Sequence, residues 1–164
     1  MMVCAADVGK TGHETKHDLD ADPDWLARIE ALRRQAALAM GMGDVSGSVL
    51  PKVVILAPPL AGGDIASRYL APTSCHATHA LTGTATILAA ANVRDSVAAR
   101  LVSADARDVD RIVIEHPSGR MEVACELAGR DERGLPNIRS ASVVTTARPL
   151  FTGHVYVQDR LAVA

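Results

Sequence analysis

Three short segments hold side chains that could take part in chemistry, and one of them runs from Cys75 to His79. Cys75 and His76 are adjacent and His79 follows three residues later, a grouping that could activate a thiol or bind a metal ion. A structural zinc site normally has four ligands, and no second cluster of cysteines or histidines accompanies these three. A polar loop that leads into a helix explains the segment better than metal binding does.

A second segment, Thr82-Gly83-Thr84, stands at the start of an alanine-rich stretch that predicts a helix. The first N–H groups of a helix have no intrahelical partner, and the helix dipole is positive there. The segment could therefore bind a carboxylate of a substrate. The more ordinary interpretation is that Thr82 caps the helix and Gly83 allows close packing, and both interpretations remain open at this point.

The third segment is His116-Pro117-Ser118-Gly119, which lies between two strand-like runs. Proline and glycine favour a tight turn, and such a turn would leave the His116 and Ser118 side chains at one end of a sheet. A serine hydrolase would also need an acidic partner and an oxyanion hole, and no Gly-x-Ser-x-Gly elbow surrounds Ser118. The segment predicts a turn first and a binding site second.

The rest of the pattern predicts the elements that position these segments. Asp22 and Pro23 are typical of a helix start, and apolar residues at helical spacing extend that helix to Met40. The run Thr82–Asn92 contains so much alanine that we expect a central helix buried on nearly every side. A short helix is predicted at residues 64–70, and strands are predicted at 1–6, 52–57, 111–116, 121–127, 140–146 and 153–157.

Composition excludes several classes of protein. The 164 residues fit one domain, and with 48% hydrophobic but only 2% aromatic residues the core must consist mainly of Ala, Val, Leu and Ile. Seventeen basic and nineteen acidic residues are spread along the chain, which argues against a nucleic-acid partner. Three separated cysteines argue against disulfides. The first ten residues lack the pattern of a signal peptide and the apolar runs are too short to span a bilayer, so we expect neither feature. We expect a cytoplasmic protein with no membrane partner.

Taken in order along the chain, several motifs resemble those of the PrpF family. Five features of the family have counterparts here: the opening strand with its glycine-containing loop, the next strand, the H-x-x-x-x-x-T-G helix start, the H-P-S-G turn, and the closing T-A-R with a glycine. These counterparts are Val3–Glu14, Pro51–Val53 with Ala57–Pro59, His76–Gly83, His116–Gly119, and Thr146–Arg148 with Gly153. Several ordered motifs at compatible spacing are more specific than any one of them, so the chain is identified as a member of this family.

The resemblance implies a diaminopimelate epimerase-like fold of the α+β class, with a mixed, mostly antiparallel sheet wrapped around a central buried helix. It implies that residues 1–164 are the C-terminal domain, that residues 1–45 are a strand, loop and helix leading into it, and that the N-terminal domain of the family is absent. It also implies an isomerase that shifts a double bond or tautomer in a small unsaturated di- or tricarboxylate such as 2-methylaconitate, by proton transfer without a cofactor.

The resemblance also bears on individual residues. The catalytic lysine and cysteine of the family belong to the absent half, so no catalytic residue is assigned in this chain and no metal is expected. The residues expected to bind the anionic carboxylate substrate are His76, Thr82, Gly83, Thr84, His116 and Ser118. The expected partner is a second copy or a separate N-terminal half, and the alternative is a non-catalytic remnant or a subunit of a split enzyme. Ala71-Pro72 and Thr145 depart from the family's usual Ser-Met pair and arginine.

Overall fold

A mixed sheet of seven strands forms the frame of the protein in a computed structural model that describes residues 1–103, 110–144 and 147–156. The strands are β1 (Met2–Cys4), β2 (Val53–Ala57), β3 (Ile65–Ala71), β4 (Ser74–Cys75), β5 (Arg111–His116), β6 (Gly119–Arg130) and β7 (Pro136–Val143). The helices are α1 (Lys16–Asp20), α2 (Pro23–Ala39), α3 (Leu81–Ala91) and α4 (Val97–Leu101), and a 3-10 turn covers Ala6–Val8.

The strands follow the order β1-β2-β3-β5-β6-β7, and the short β4 pairs with β3 outside this path. The pairs β1–β2 and β3–β5 are parallel, whereas β2–β3, β3–β4, β5–β6 and β6–β7 are antiparallel. The sheet is therefore mixed and mostly antiparallel, as expected. Because β3 pairs with β2 on one side and with β5 on the other, residues of β3 lie at the centre of the sheet.

Both faces of the sheet are covered at β2. Its five residues are all buried. Alternate side chains of a strand point to opposite faces of the sheet, so the protein must cover both faces at this strand. Val53 and Ile55 belong to the apolar cluster that includes Trp25 of α2. Val54 and Leu56 belong to the cluster that includes Ile87 and Leu88 of α3. A strand covered on both faces needs a continuous apolar run, which is what Val53–Ala57 provides.

The helix predicted from Pro23 to Met40 is confirmed as α2. Asp22 is its N-cap and accepts a hydrogen bond from the Trp25 N–H at 3.0 Å, and Pro23 occupies the first turn. The Trp25 ring is 1% exposed and its Nε1–H donates to the Val8 carbonyl at 2.9 Å. Burying this indole satisfies its one polar group, so α2 is fixed against the loop that follows β1.

The helix predicted at residues 64–70 is wrong, because these residues form the strand β3. Ile65 to Leu70 are all buried, and five of the β3 residues pair with β2, from Leu70 opposite Val53 to Ala66 opposite Ala57. Ser67 and Arg68 interrupt the apolar run in the sequence, which hides the pattern of a buried strand. Tertiary pairing at the sheet centre overrides this weak local signal.

The alanine-rich helix was correctly placed, but it is not enclosed on nearly every side. Five residues of α3 are buried, namely Gly83, Thr84, Ile87, Leu88 and Ala91. In contrast, Leu81 is 54% exposed, and Thr82 and Thr86 are also exposed. Alanine tolerates both burial and exposure, so its abundance does not reveal how many sides of a helix are covered. The sheet covers one side of α3 and solvent reaches the other.

The last strands also differ from the predictions. The strand predicted at 140–146 is β7, which begins at Pro136 and ends at Val143, and Thr146 lies outside the described residues. Residues 153–156 form no strand, and Val157 lies outside the described residues. The predicted strand at 121–127 is part of the longer β6. Within the described ranges, no helix is both long enough and apolar enough to cross a bilayer.

Candidate functional site

The turn between β5 and β6 meets the loop that precedes α3, which brings two of the sequence segments together. The Ser118 hydroxyl donates a hydrogen bond to the Ala77 carbonyl at 2.6 Å. His116 pairs with Gly119 across the hairpin, and the Ser118 N–H donates to His116 Nδ1 at 3.3 Å. The tight turn predicted from Pro117 and Gly119 therefore holds His116 and Ser118 beside the segment that contains His76 and His79.

His76 lies on the exposed side of this meeting point. Its N–H donates to the Tyr69 carbonyl at 2.8 Å, just beyond the β3–β4 pairing. Its ring packs edge-on against the Tyr69 ring, with 5.6 Å between centroids. Because β3 is central in the sheet, this contact fixes the His76 imidazole at the sheet end while leaving it open to solvent.

His79 is buried and neutral, in contrast to His76. It is 5% exposed, and its Nε2 lies 2.9 Å from the Ser67 hydroxyl while its Nδ1 lies 3.1 Å from the Ala80 carbonyl. A carbonyl only accepts, so Nδ1 carries the proton and Nε2 accepts from Ser67. The pKa of His79 is lowered to about 4, mainly by burial and in smaller part by the nearby His116 and His76, although the bond to Ala80 opposes the change.

The start of α3 differs from the capping interpretation. The helix begins at Leu81, so Ala80 is the N-cap residue and provides no side-chain cap, and Thr82 does not cap the helix. Thr84 is fully buried; its hydroxyl donates to the Leu81 carbonyl at 2.6 Å and its N–H to the Ala80 carbonyl at 3.0 Å. Thr84 therefore presents no free donor to a ligand, whereas Thr82 is exposed at the positive end of the helix.

Gly83 faces the two buried rings of the site. A Cβ atom placed on Gly83 would lie 2.6 Å from Tyr69 Cε2 and 2.8 Å from His79 Cε1. Both distances are shorter than carbon atoms tolerate without movement. The Tyr69 and His79 rings are 4.7 Å apart between centroids, so neither ring can move away without displacing the other. The packing interpretation of Gly83 is therefore supported by the structure.

We expect Gly83→Ala to lower the free energy of unfolding by about 1–2 kcal/mol, measured by urea denaturation. Helix propensity alone favours alanine over glycine by about 1 kcal/mol. Overpacking against fixed rings costs about 1–3 kcal/mol, which reverses the sign of the change.

Gly47→Ala is the matched control, because a Cβ atom there meets nothing within 4 Å. Its free energy of unfolding should stay the same or rise by less than about 1 kcal/mol. A Gly83→Ala variant that is more stable than the parent would contradict the close contact with Tyr69 and His79. Truncating one ring, in Gly83→Ala/His79→Ala, should recover part of the loss attributed to overpacking.

Cys75 is not an activated thiol. It is 2% exposed, and burial together with the Asp20 carboxylate raises the pKa of its thiol to about 11. Its Sγ lies 3.3 Å from the His76 carbonyl. Among the residues that the structure describes, no three His, Cys, Asp or Glu side chains are placed to share a metal ion. Cys75, His76 and His79 therefore do not form the metal or thiol site weighed from the sequence.

Arg68 is a site residue that the sequence analysis missed. It lies in the middle of β3 and is 6% exposed. Its Nε donates to the Glu14 carbonyl at 2.5 Å and its Nη1 to the Ser67 carbonyl at 3.0 Å. Within the described ranges it makes no ion pair. Burial lowers the pKa of Arg68, and its charge contributes to a lowered pKa at His116 after burial of that imidazole. A buried cation without a paired carboxylate is well suited to an anionic ligand.

The carboxylates nearest to Arg68 are occupied by backbone groups. Glu115 accepts N–H groups of Leu60, Ala61 and Gly63 at 2.6–2.9 Å, which lowers its pKa against the opposing effect of burial. Glu14 accepts the N–H groups of Thr11 and Gly12 at 2.7 and 3.0 Å. These acids stabilise loops and have little remaining capacity to pair with Arg68. The end of the sheet thus combines three imidazoles with an uncapped helix start, and the buried Arg68 lies on the opposite face of β3 from Ser67 and His79.

Comparison with known proteins gives this arrangement a context. A profile of the family described as PrpF protein matches residues 1–158. YbhH of Escherichia coli (strain K12), whose name suggests an isomerase without stating a substrate, is 41% identical over 157 residues, which are 96% of this chain and 43% of YbhH. The 4-oxalomesaconate tautomerase of Pseudomonas putida (strain KT2440) is 37% identical over 96% of this chain and 42% of its own length.

The fold is also similar to a solved structure. A crystal structure of methylitaconate-delta-isomerase matches with a TM-score of 0.73 and 25% identity, over 88% of this chain and 42% of that protein. The chain therefore spans less than half the length of each of these relatives.

Proposed function

Because the chain belongs to the PrpF family, we propose that it forms part of an isomerase that shifts a double bond or tautomer in a small unsaturated di- or tricarboxylate. The names of two relatives support this reaction class, since one is an oxalomesaconate tautomerase and the other a methylitaconate isomerase. Moving a proton between carbons beside carboxylates requires a site that holds negative charge and stabilises an enolate-like intermediate. Side chains and backbone N–H groups alone supply these functions in this proposal.

The observation that carries the proposal is the hydrogen bond from Ser118 to the Ala77 carbonyl, which joins the β5–β6 turn to the loop before α3, together with the charge of Arg68, which helps to lower the pKa of His116. Arg68 would attract a substrate carboxylate, and His76, His116, Ser118, Thr82 and Gly83 would orient it. Thr84 is left out, because its donors are used within the helix. In this role the residues bind and orient the substrate, and they do not transfer the proton.

We further propose that residues 1–164 are the C-terminal domain of a diaminopimelate epimerase-like fold and that a second protein unit completes the cleft. His76, Thr82 and Ser118 are exposed, so the candidate site is open on one side. A substrate is usually enclosed over most of its surface. A separate N-terminal half would close the site and supply the proton-transferring groups, and a second copy of this chain is the alternative partner. The competing function is that of a non-catalytic remnant. Such a protein would bind the acid but would gain no turnover when a separate N-terminal half is supplied.

The proposal is tested by replacing Arg68 with Met and measuring the binding of cis-aconitate by calorimetry. We expect binding to weaken by about tenfold or more, because a charge-assisted hydrogen bond to a buried cation is lost. The free energy of unfolding should fall by no more than about 1–2 kcal/mol, because the Glu14 and Ser67 carbonyls lose a donor while the cost of burying the guanidinium disappears.

Arg28→Met is the matched control, because Arg28 is an exposed cation on α2, away from the site. It should leave cis-aconitate binding within about twofold of the parent value. Equal weakening by both variants would mean that overall charge, and not the site, attracts the acid. A strongly destabilised Arg68→Met protein with unchanged binding would assign Arg68 a structural role and overturn the proposed site.

A further inference from the structure

A cavity of about 810 Å³ lies at the other end of α3, remote from the candidate site. It opens between the turn after α3, the helix α4 and the turn that joins β6 to β7. The eleven residues of α3 separate it from the candidate site by roughly 16 Å. Its volume falls in the range of small-molecule sites, which is about 300–1,000 Å³.

Four arginines line this cavity. They are Arg94 in the turn after α3, Arg100 on α4, Arg130 at the end of β6 and Arg133 in the following turn. Two acids, Asp95 and Glu132, also line it. The cavity is therefore positive on balance, although the chain as a whole carries a formal net charge of -2.

One arginine fixes the walls of the cavity. The Arg130 Nη1 group donates to the Asn92 carbonyl at the end of α3 and to the Gly134 carbonyl in the β6–β7 turn, both at 2.8 Å. The same turn is braced by Asp131, whose carboxylate accepts the N–H groups of Arg133 and Leu135 at 2.9 and 2.8 Å. The two sides of the cavity are thus joined by hydrogen bonds.

The other three arginines have no ion pair within the described ranges, although acids stand beside them. Elsewhere on the surface, cations do pair with acids, as in Lys10–Asp22, Lys16–Asp20, Arg34–Glu30, Arg111–Glu122 and Arg139–Glu126. Arg94, Arg100 and Arg133 are exposed and present their guanidinium donors without such a partner. Guanidinium groups bind phosphate and carboxylate oxygens in a two-pronged geometry.

We propose that this cavity is a second binding site, which takes a compact anion with two or more negative charges on phosphate or carboxylate groups. Arg94, Arg100 and Arg133 would bind the anion from three elements, and Arg130 would hold the walls in place. Asp95 and Glu132 would disfavour singly charged anions, because the attraction of one charge is offset by their repulsion.

The test is calorimetric titration of the full chain with pyrophosphate at low ionic strength. We expect saturable binding to one site with a dissociation constant at or below about 1 mM. The double variant Arg94→Gln/Arg133→Gln should bind about tenfold or more weakly. Arg111→Gln/Arg139→Gln removes the same two charges from exposed strand positions and should change binding by less than about twofold.

A parallel titration with citrate shows whether the cavity prefers phosphate or carboxylate groups. Tighter binding of pyrophosphate assigns the site to phosphate-bearing compounds, and tighter binding of citrate that is lost in the cavity variant assigns it to polycarboxylates. Citrate binding that is lost in Arg68→Met but kept in the cavity variant would show that the acid occupies only the candidate site. The proposal is overturned if neither anion binds at this cavity, or if both double variants weaken binding equally.

Discussion

The purified 164-residue chain should turn over 2-methylaconitate and 4-oxalomesaconate at a rate close to background. A double-bond shift needs a base that removes a proton from one carbon and an acid that returns it to another. The chain matches less than half of each relative, and the family resemblance implies that the proton-transferring lysine and cysteine belong to the part that is not matched. Each general acid or base typically increases the rate by about a hundredfold to ten-thousandfold, so a chain without both groups should lose most of the rate enhancement.

The side chains present at the candidate site do not replace the missing groups. The Cys75 thiol has a pKa of about 11 and is buried, so it stays protonated and out of reach of a ligand. His79 has a pKa of about 4, and both of its ring nitrogens are engaged with Ser67 and Ala80. His76 is exposed, and an open site leaves water around a developing negative charge. We therefore expect binding without efficient proton transfer.

Turnover is measured by the ultraviolet absorbance of the conjugated acid, with and without a co-expressed partner. The partner is the part of the Pseudomonas putida tautomerase that this chain does not match, and the intact tautomerase is the positive control. Turnover that appears only when both pieces are present would support a split or incomplete enzyme. Fast turnover by the chain alone would show that this half contains the proton-transferring groups, and binding without rescue would favour the non-catalytic alternative.

Local signals in the sequence were sufficient where one short segment determines its own structure. Asp22-Pro23 placed the start of α2 because capping and proline geometry act within one turn. His116-Pro117-Ser118-Gly119 placed a turn because the β5–β6 hairpin closes locally. The order of motifs identified the family, which the profile match confirms. The helix start and the turn depend on residues that are close in the chain, whereas the family depends on the order of motifs along its whole length.

The sequence was insufficient where distant residues decide the structure. Ser67 and Arg68 look unsuited to a central strand, yet β3 is central because β2 and β5 pair with it on both sides. One residue of the polar pair that concealed the strand reaches the candidate site directly, because Ser67 bonds to His79, and Arg68 is the buried cation on the opposite face of β3. Local rules are often violated at functional sites, so two buried polar residues inside an apolar run were the available signal.

The buried His79 should make stability depend on pH between about 4 and 6.5. Its folded pKa of about 4 is below the ordinary value of 6.5, so the unfolded chain takes up a proton in this range that the folded chain does not. The free energy of unfolding therefore rises with pH through the window, by at most about 1.4 kcal/mol per pH unit. The contribution of His79 is complete above pH 6.5, and about 3 kcal/mol is lost as the pH falls to 4.

Urea denaturation at a series of pH values tests this dependence, with the slope as the measured quantity. His79→Gln should reduce the slope between pH 4.5 and 6.5 even if it lowers stability overall, because glutamine does not titrate. Some slope should remain, since burial and Arg68 also lower the pKa of His116. His154→Gln, at an exposed position outside the helices and strands, should keep the parent slope. A His79→Gln protein with the parent slope would contradict a neutral His79, because it would mean that the folded chain also takes up this proton and that Nε2 donates to the Ser67 hydroxyl.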